Sequence, residues 1–297
     1  MGIKIHEVGM RDGIQNEKII VPLETKVKWI ESLIESGIDI LQIGSFVHPV
    51  KVPQMADTDR LFQNFSGKSS KTLLSGLVLN EKGYERALLC NVDIVCMGVS
   101  ASNAHSLKNT GMSTEEATNR ICEMAKKGLN DGKFVQCSVQ SAFGCGFEGK
   151  IDESVVYDII RKYVEIGVKN ISLADTAGHA YPEQIKRMMS KIKSDYPEIT
   201  ITVHFHNTFG LGIANCYTGI NEGAEVIETA FGGLGGCPFT KVAAGNVATE
   251  DLIHSLNREN KAINIDIQKI ITVSKEAEAF FNKPLEGYIY KTGIINY

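Results

Sequence analysis

The chain has 297 residues, 43% of them hydrophobic and 22% charged, with 28 Gly and 7 Pro; these are the proportions of an ordinary globular protein and exclude a disordered chain, a collagen and a coiled coil. Lys plus Arg is 31 against Asp plus Glu 35, a formal net charge of −4, so the basic footprint of a nucleic-acid binder is missing and small molecules are the expected partners. Seven cysteines with no C-x-x-C pair fit neither a secreted disulfide framework nor a zinc ribbon, and suit a reducing cytosol.

In chain order, MGIKIHEVGM enters an alternating, strand-like pattern at once. That leaves no room for a basic and apolar signal sequence. No apolar run reaches the roughly 18 residues of a membrane span, so a cytoplasmic protein with no membrane partner is expected. Strands are predicted at IKIHEV from Ile3, DILQIGS from Asp39, KTLLSGLV from Lys71, VDIVCMGV from Val92, KFVQCSVQ from Lys133, NISLAD from Asn170, ITITVHFH from Ile199 and EVIETAF from Glu225. Between them, Leu23 to Ser36 repeats Val27, Ile30, Leu33 and Ile34 at helical spacing, and Glu153 to Ile166 does so with Val156, Ile159, Ile160 and Val164. Ser36-Gly37-Ile38 and Ile166-Gly167-Val168 read as helix ends closed by a left-handed glycine.

Strand and helix alternating eight times predict parallel strands with helical crossovers. The count of eight, a length near the usual ~250 residues, and no G-x-G-x-x-G turn after the first strand favour a closed (β/α)8 TIM barrel over an open doubly wound sheet. No linker or composition break divides the chain. One domain over residues 1–297 is expected, the barrel over about 1–250 and two or three terminal helices packed on it over about 251–297.

Chemistry in such a barrel gathers at the C-terminal ends of the strands. Glu7-Val8-Gly9-Met10-Arg11-Asp12-Gly13 follows the first, and His204-Phe205-His206-Asn207 ends the seventh. Residues two apart on a strand share a face, so His204 and His206 can enter the mouth together, in the quadrant next to Asp12. A carboxylate and two imidazoles make a metal site plausible; the bland alternative is a hydrogen-bonded histidine pair. After the eighth strand, Phe231-Gly232-Gly233-Leu234-Gly235-Gly236-Cys237-Pro238-Phe239 reads as a mobile loop with a cysteine at its tip. The other six cysteines read as small buried hydrophobes. Asn246 could offer a neutral oxygen ligand or cap the helix starting near Thr249.

Together these segments resemble the 3-hydroxy-3-methylglutaryl-CoA lyases, among the metal-dependent lyase and synthase barrels with an Asp-Arg-Glu-like signature. The matching stretches are EVGMRDGIQNEK from Glu7, SFVHPVKVPQMAD from Ser45, SASNAHSLKN from Ser100, GCGFEGKI from Gly144, SLADTAG from Ser172, VHFHNTFG from Val203 and GLGGCPFTKVAAGNVATEDL from Gly233. They run almost end to end in the family's order. The resemblance implies that Asp12, His204, His206 and Asn246 bind a divalent ion, Mg or Mn, and that Arg11 holds a thioester carbonyl. It further implies proton transfer by Cys237 and assistance from Asp175. The implied partner is an acyl-CoA thioester, contacted by Gln15, Lys18 and Ser45, although Lys18 could equally be a solvated surface lysine. A homodimer is the family's habit.

Cleaving a β-hydroxyacyl-CoA between its α and β carbons requires removing a proton from a tertiary hydroxyl and accepting an enolate as leaving group. A cation at the hydroxyl lowers its pKa, an arginine that stays charged can stabilise the enolate oxygen, and a loop thiol can protonate the enolate carbon. Two positions depart from the family pattern: Gln42 where a glutamate normally faces the arginine, and Asn207 where aspartate is usual. Gln42 can accept one hydrogen bond from Arg11 but cannot form the charged bidentate pair; it could also be simply a polar residue of the barrel interior. The expected activity is release of acetyl-CoA and acetoacetate from 3-hydroxy-3-methylglutaryl-CoA. The alternatives are a lyase for a related thioester such as citramalyl-CoA, a Claisen-type synthase, and a non-catalytic CoA-ligand binder.

Overall fold

The computed structural model describes residues 2–67, 70–236, 245–259, 261 and 263–295. Among them, eight strands close into a barrel: β1 (Lys4–Glu7), β2 (Ile40–Ser45), β3 (Leu73–Leu77), β4 (Ile94–Ser100), β5 (Phe134–Gln140), β6 (Asn170–Asp175), β7 (Thr200–Phe205) and β8 (Val226–Thr229). Each pairs in parallel with its sequence neighbour, and the seam is closed by β1 on β8 with Lys4 opposite Val226 and Glu7 opposite Thr229. The TIM barrel expected from the eightfold alternation is therefore the fold.

The helices of the described residues are α1 (Leu23–Glu35), α2 (Thr58–Phe65), α3 (Glu81–Leu89), α4 (Asn103–Thr110), α5 (Thr114–Asn130), α6 (Glu153–Glu165), α7 (Pro182–Asp195), α8 (Gly212–Asn221), α9 (Thr249–Arg258), α10 (Ile267–Phe281) and α11 (Ile289–Thr292). Their ends follow local chemistry. Asn80, Ser113 and Asp152 cap α3, α5 and α6 by accepting from the backbone N–H two or three residues on, and Glu116 completes a capping box. Gly37 and Gly167, just past α1 and α6, have φ of 82° and 94°, the left-handed region in which a side chain would be strained. No described helix is long and apolar enough to cross a membrane.

Two apolar compartments hold the barrel. Between sheet and helices lies a continuous cluster that includes Trp29, Leu41, Ile43, Val95, Met97, Ile171, Leu173, Val203 and Ile227. Inside the lumen, Ile40, Ile94, Cys96 and Val226 form a small separate plug. Alternation along the strands then places Gln42, Glu228 and His6 one pleat above the plug, toward the C-terminal mouth. A bulge in β2, where Gln42 pairs with Ser75 but Gly44 with Gly76, ends that alternation. Gly44 turns outward instead, and a Cβ on it would lie 2.6 Å from the Thr58 hydroxyl.

Candidate active site

Past β1 the chain makes one wide turn. The N–H groups of Arg11, Asp12 and Gly13 all bond the Val8 carbonyl, at 3.0, 2.8 and 3.3 Å, and Ile14 N–H bonds Gly9 O at 3.0 Å. Five-residue loops of this kind recur at functional sites. Glycine is required at its start, because a Cβ on Gly9 would stand 2.5 Å from the Phe231 ring and 2.6 Å from a Glu7 carboxylate oxygen. The turn carries Arg11 and Asp12 into the mouth. Arg11 donates from Nη1 to Asp12 Oδ1 at 2.5 Å and from Nε to Gln42 Oε1. Burial works to raise the Asp12 carboxyl, but Arg11, His204, His206 and an Asn246 hydrogen bond outweigh it and hold it well below the usual carboxylate range.

His204 and His206 face each other across 3.1 Å between their Nε2 atoms, and His206 Nε2 lies 3.9 Å from Asp12 Oδ2. The sequence placed both histidines on strand seven. The strand in fact stops at Phe205, and His206 instead makes an antiparallel bridge to Asn246. Asn207 N–H to Gly245 O and Val247 N–H to Phe205 O, at 2.9 and 3.2 Å, complete that pairing and seat Asn246 at the mouth. Asn246 donates to Asp12 Oδ2 at 2.9 Å and to Leu234 O at 3.0 Å. It caps nothing: α9 begins after Ala248 with no side-chain cap.

These residues fit a divalent ion. One ligand atom from each of Asp12, His204 and His206 lies within 4.8 Å of the others. Cis ligands of an octahedral ion with bonds of about 2.1 Å are about 3.0 Å apart, close to the spacing of the two imidazole nitrogens. The buried Asn246 Oδ1 has no hydrogen-bond partner, an orphaned acceptor of the kind a cation satisfies. Burial and the charge of His204 push the His206 imidazole down to about 4, so its lone pair is free for ligation at neutral pH.

Asp175 ends β6, fully buried, with Oδ1 accepting from His179 N–H at 2.7 Å and Oδ2 unpartnered. Burial pushes its carboxyl up to about 7. Gln15 lies one turn on from Arg11, its N–H bonding the Arg11 carbonyl at 3.0 Å, and Lys18 is exposed beyond it. Ser45 is fully buried, its hydroxyl turned to the Leu77 carbonyl at 3.4 Å. Cys237 lies outside the described residues.

Sequence reasoning passed over what lies beneath and beside this cluster. Glu228 of β8 accepts from His204 Nδ1 at 3.0 Å; the signal was a carboxylate in mid-strand, between Ile227 and Thr229. At the base of the glycine-rich segment, Glu7 accepts from the Phe231 N–H at 3.1 Å and from the Thr249 hydroxyl, while both oxygens of Glu250 accept from Gly232 N–H at 3.1 and 3.0 Å.

The HMGL-like family profile matches residues 2–276. Among curated proteins, the chain is 32% identical over 283 residues to a hydroxymethylglutaryl-CoA lyase of Bacillus subtilis, covering 95% of this chain and 94% of that protein. It is 34% identical over 300 residues to the (R)-citramalyl-CoA lyase of Chloroflexus aurantiacus, covering 98% and 95%. Among solved structures, an HMG-CoA lyase of Acinetobacter baumannii in complex with coenzyme A and 3-methylmalate superposes with a TM-score of 0.92 at 35% identity, covering 98% of this chain and 95% of that one.

Proposed function

The chain belongs to the HMGL-like family, and from that premise we propose that it is a carbon–carbon lyase cleaving 3-hydroxy-3-methylglutaryl-CoA to acetyl-CoA and acetoacetate. The observation that carries the reading is the convergence of Asp12, His204 and His206 on one point of the barrel mouth, beside a guanidinium. Asp12, His204, His206 and Asn246 would hold the ion, Mg or Mn. When bound, it lowers the pKa of the substrate's tertiary hydroxyl and fixes that oxygen.

The remaining work falls to the protein's own groups. Arg11 is held from two sides by Asp12 and Gln42; it would meet the thioester oxygen, where negative charge develops as the bond breaks. Asp175, with an unpartnered oxygen and a carboxyl near neutrality, would take the hydroxyl proton. Cys237 would deliver a proton to the enolate carbon. Gln15, Lys18 and Ser45 are the proposed contacts of the thioester, and a cytoplasmic, single-domain homodimer is the proposed form.

A second reading is supported by the Chloroflexus relative: cleavage of citramalyl-CoA to acetyl-CoA and pyruvate, by the same steps with the substrate carboxylate one carbon nearer the hydroxyl. The test is to incubate the protein with each thioester, with Mg or Mn and again with chelator, and to measure acetyl-CoA and the keto acid. Chelator-sensitive acetoacetate formation is expected. Pyruvate formation alone would transfer the assignment to the second reading, and no turnover on either thioester would overturn both.

A further inference from the structure

Below the mouth, a line of hydrogen-bonded side chains leads across the lumen from Cys96 to His204, and a separate pair joins Arg11 to Gln42. Arg11 Nε donates to Gln42 Oε1. Cys96 Sγ lies 3.1 Å from Gln136 Oε1, Gln136 Nε2 donates to Glu228 Oε1 at 2.8 Å, and Glu228 Oε2 accepts from His204 Nδ1 at 3.0 Å. His6 Nδ1 stands 3.3 Å from the same Glu228 Oε1, and its Nε2 is 2.8 Å from the Ser75 hydroxyl. Gln42, Cys96, Gln136, His6 and Ser75 are all buried, and so is Glu228 at 8% exposure.

The ends fix the direction of the line. An ionised Glu228 can only accept, so Gln136 must turn its NH2 to it and its carbonyl to Cys96, whose thiol must then donate. Arg11 can only donate, so Gln42 turns its carbonyl to Arg11.

We propose that Glu228 is a positioning residue that fixes His204 for the ion. The inference rests on the metal-dependent reading above. Glu228 accepts a hydrogen bond from the Nδ1–H of His204, which leaves the Nε2 lone pair as the ligand atom and sets the plane of the ring. Gln136 holds the carboxylate from below, so the orientation of a mouth ligand is set a layer beneath the mouth.

The experiment is to titrate the full-length protein with Mn2+ alone, reading free ion by electron paramagnetic resonance, and to follow thermal unfolding of the chelated protein. For Glu228→Gln, Mn2+ affinity is expected to fall by about 10–100-fold, with kcat reduced and KM for the thioester less affected. The more conservative Gln136→Met keeps the carboxylate but removes its prop; a smaller loss in the same direction is expected, and it carries the test should Glu228→Gln fail to fold. Wild-type Mn2+ affinity in a folded Glu228→Gln, or in Gln136→Met where Glu228→Gln does not fold, would overturn the positioning role while leaving the lyase reading intact. No Mn2+ binding by the wild-type protein would overturn both.

Discussion

Arg11 shows how much a single side chain depends on its neighbours. Two of its nitrogens are already engaged, by Gln42 and Asp12, so the rest of the fork is aimed rather than free. A lysine would keep the charge and lose the fork. Arg11→Lys is expected to lower kcat by about 10²–10³-fold, the scale of losing a preorganised donor at a developing oxyanion; steady-state kinetics measures this, and Mn2+ affinity should change far less. Asp175 supplies a pH signature. A base must be deprotonated to act, so kcat/KM should rise with pH and level off above about 7, the position to which burial pushes its carboxyl; a bound cation nearby shifts that limb downward. Asp175→Asn should remove the limb, and a variant that keeps it would assign the base elsewhere. At this scale the sequence exposed Arg11, Asp12 and the H-x-H pair through motif and spacing. It hid Glu228, because a carboxylate within a strand names its partner only once the register across strands is known.

Among the elements, the segment from Phe231 to Gly233 is clamped from beneath by two buried acids. Burial pushes Glu7 up to about 7 and Glu250 up to about 8. Between a carboxyl's ordinary value near 4.5 and these raised values, the folded protein holds a proton that the unfolded chain has released, so stability falls as pH rises through that window. Urea unfolding midpoints should therefore decline from about pH 5 to 8. Glu250→Gln cannot ionise and is expected to flatten the decline; an unchanged slope would place its origin in other groups. The eight predicted strand runs coincide with the observed strands to within a residue or two, because buried parallel strands leave continuous β-branched stretches. The end of strand seven escaped because the alternation continues through His-Phe-His while the backbone changes partner from β8 to Asn246. The alternation records which way side chains point, not which chain segment they pair with.

For the whole molecule, fold class was legible because eightfold strand and helix repetition has few compact solutions. The filling of the lumen was not, since Gln136 and Glu228 are 92 residues apart in sequence and meet only in a closed barrel. The lumen's apolar floor is thin. Ile94→Ala opens a void among Ile40, Cys96 and Val226 and is expected to cost about 2–5 kcal/mol in urea unfolding.

The proposed ligands come from the turn after β1, the end of β7 and the segment following β8, so they straddle the line where the first strand meets the last. An ion seated there would act as a clasp on the ring as well as a reagent. Occupancy at a hundred times its dissociation constant would add about 2.7 kcal/mol to the folded form. Amide protons along Lys4–Glu7 should then exchange with deuterium more slowly in metal-loaded protein than in chelated protein. Starving the cell of that cation would thus loosen the hoop at its joint while switching off the chemistry.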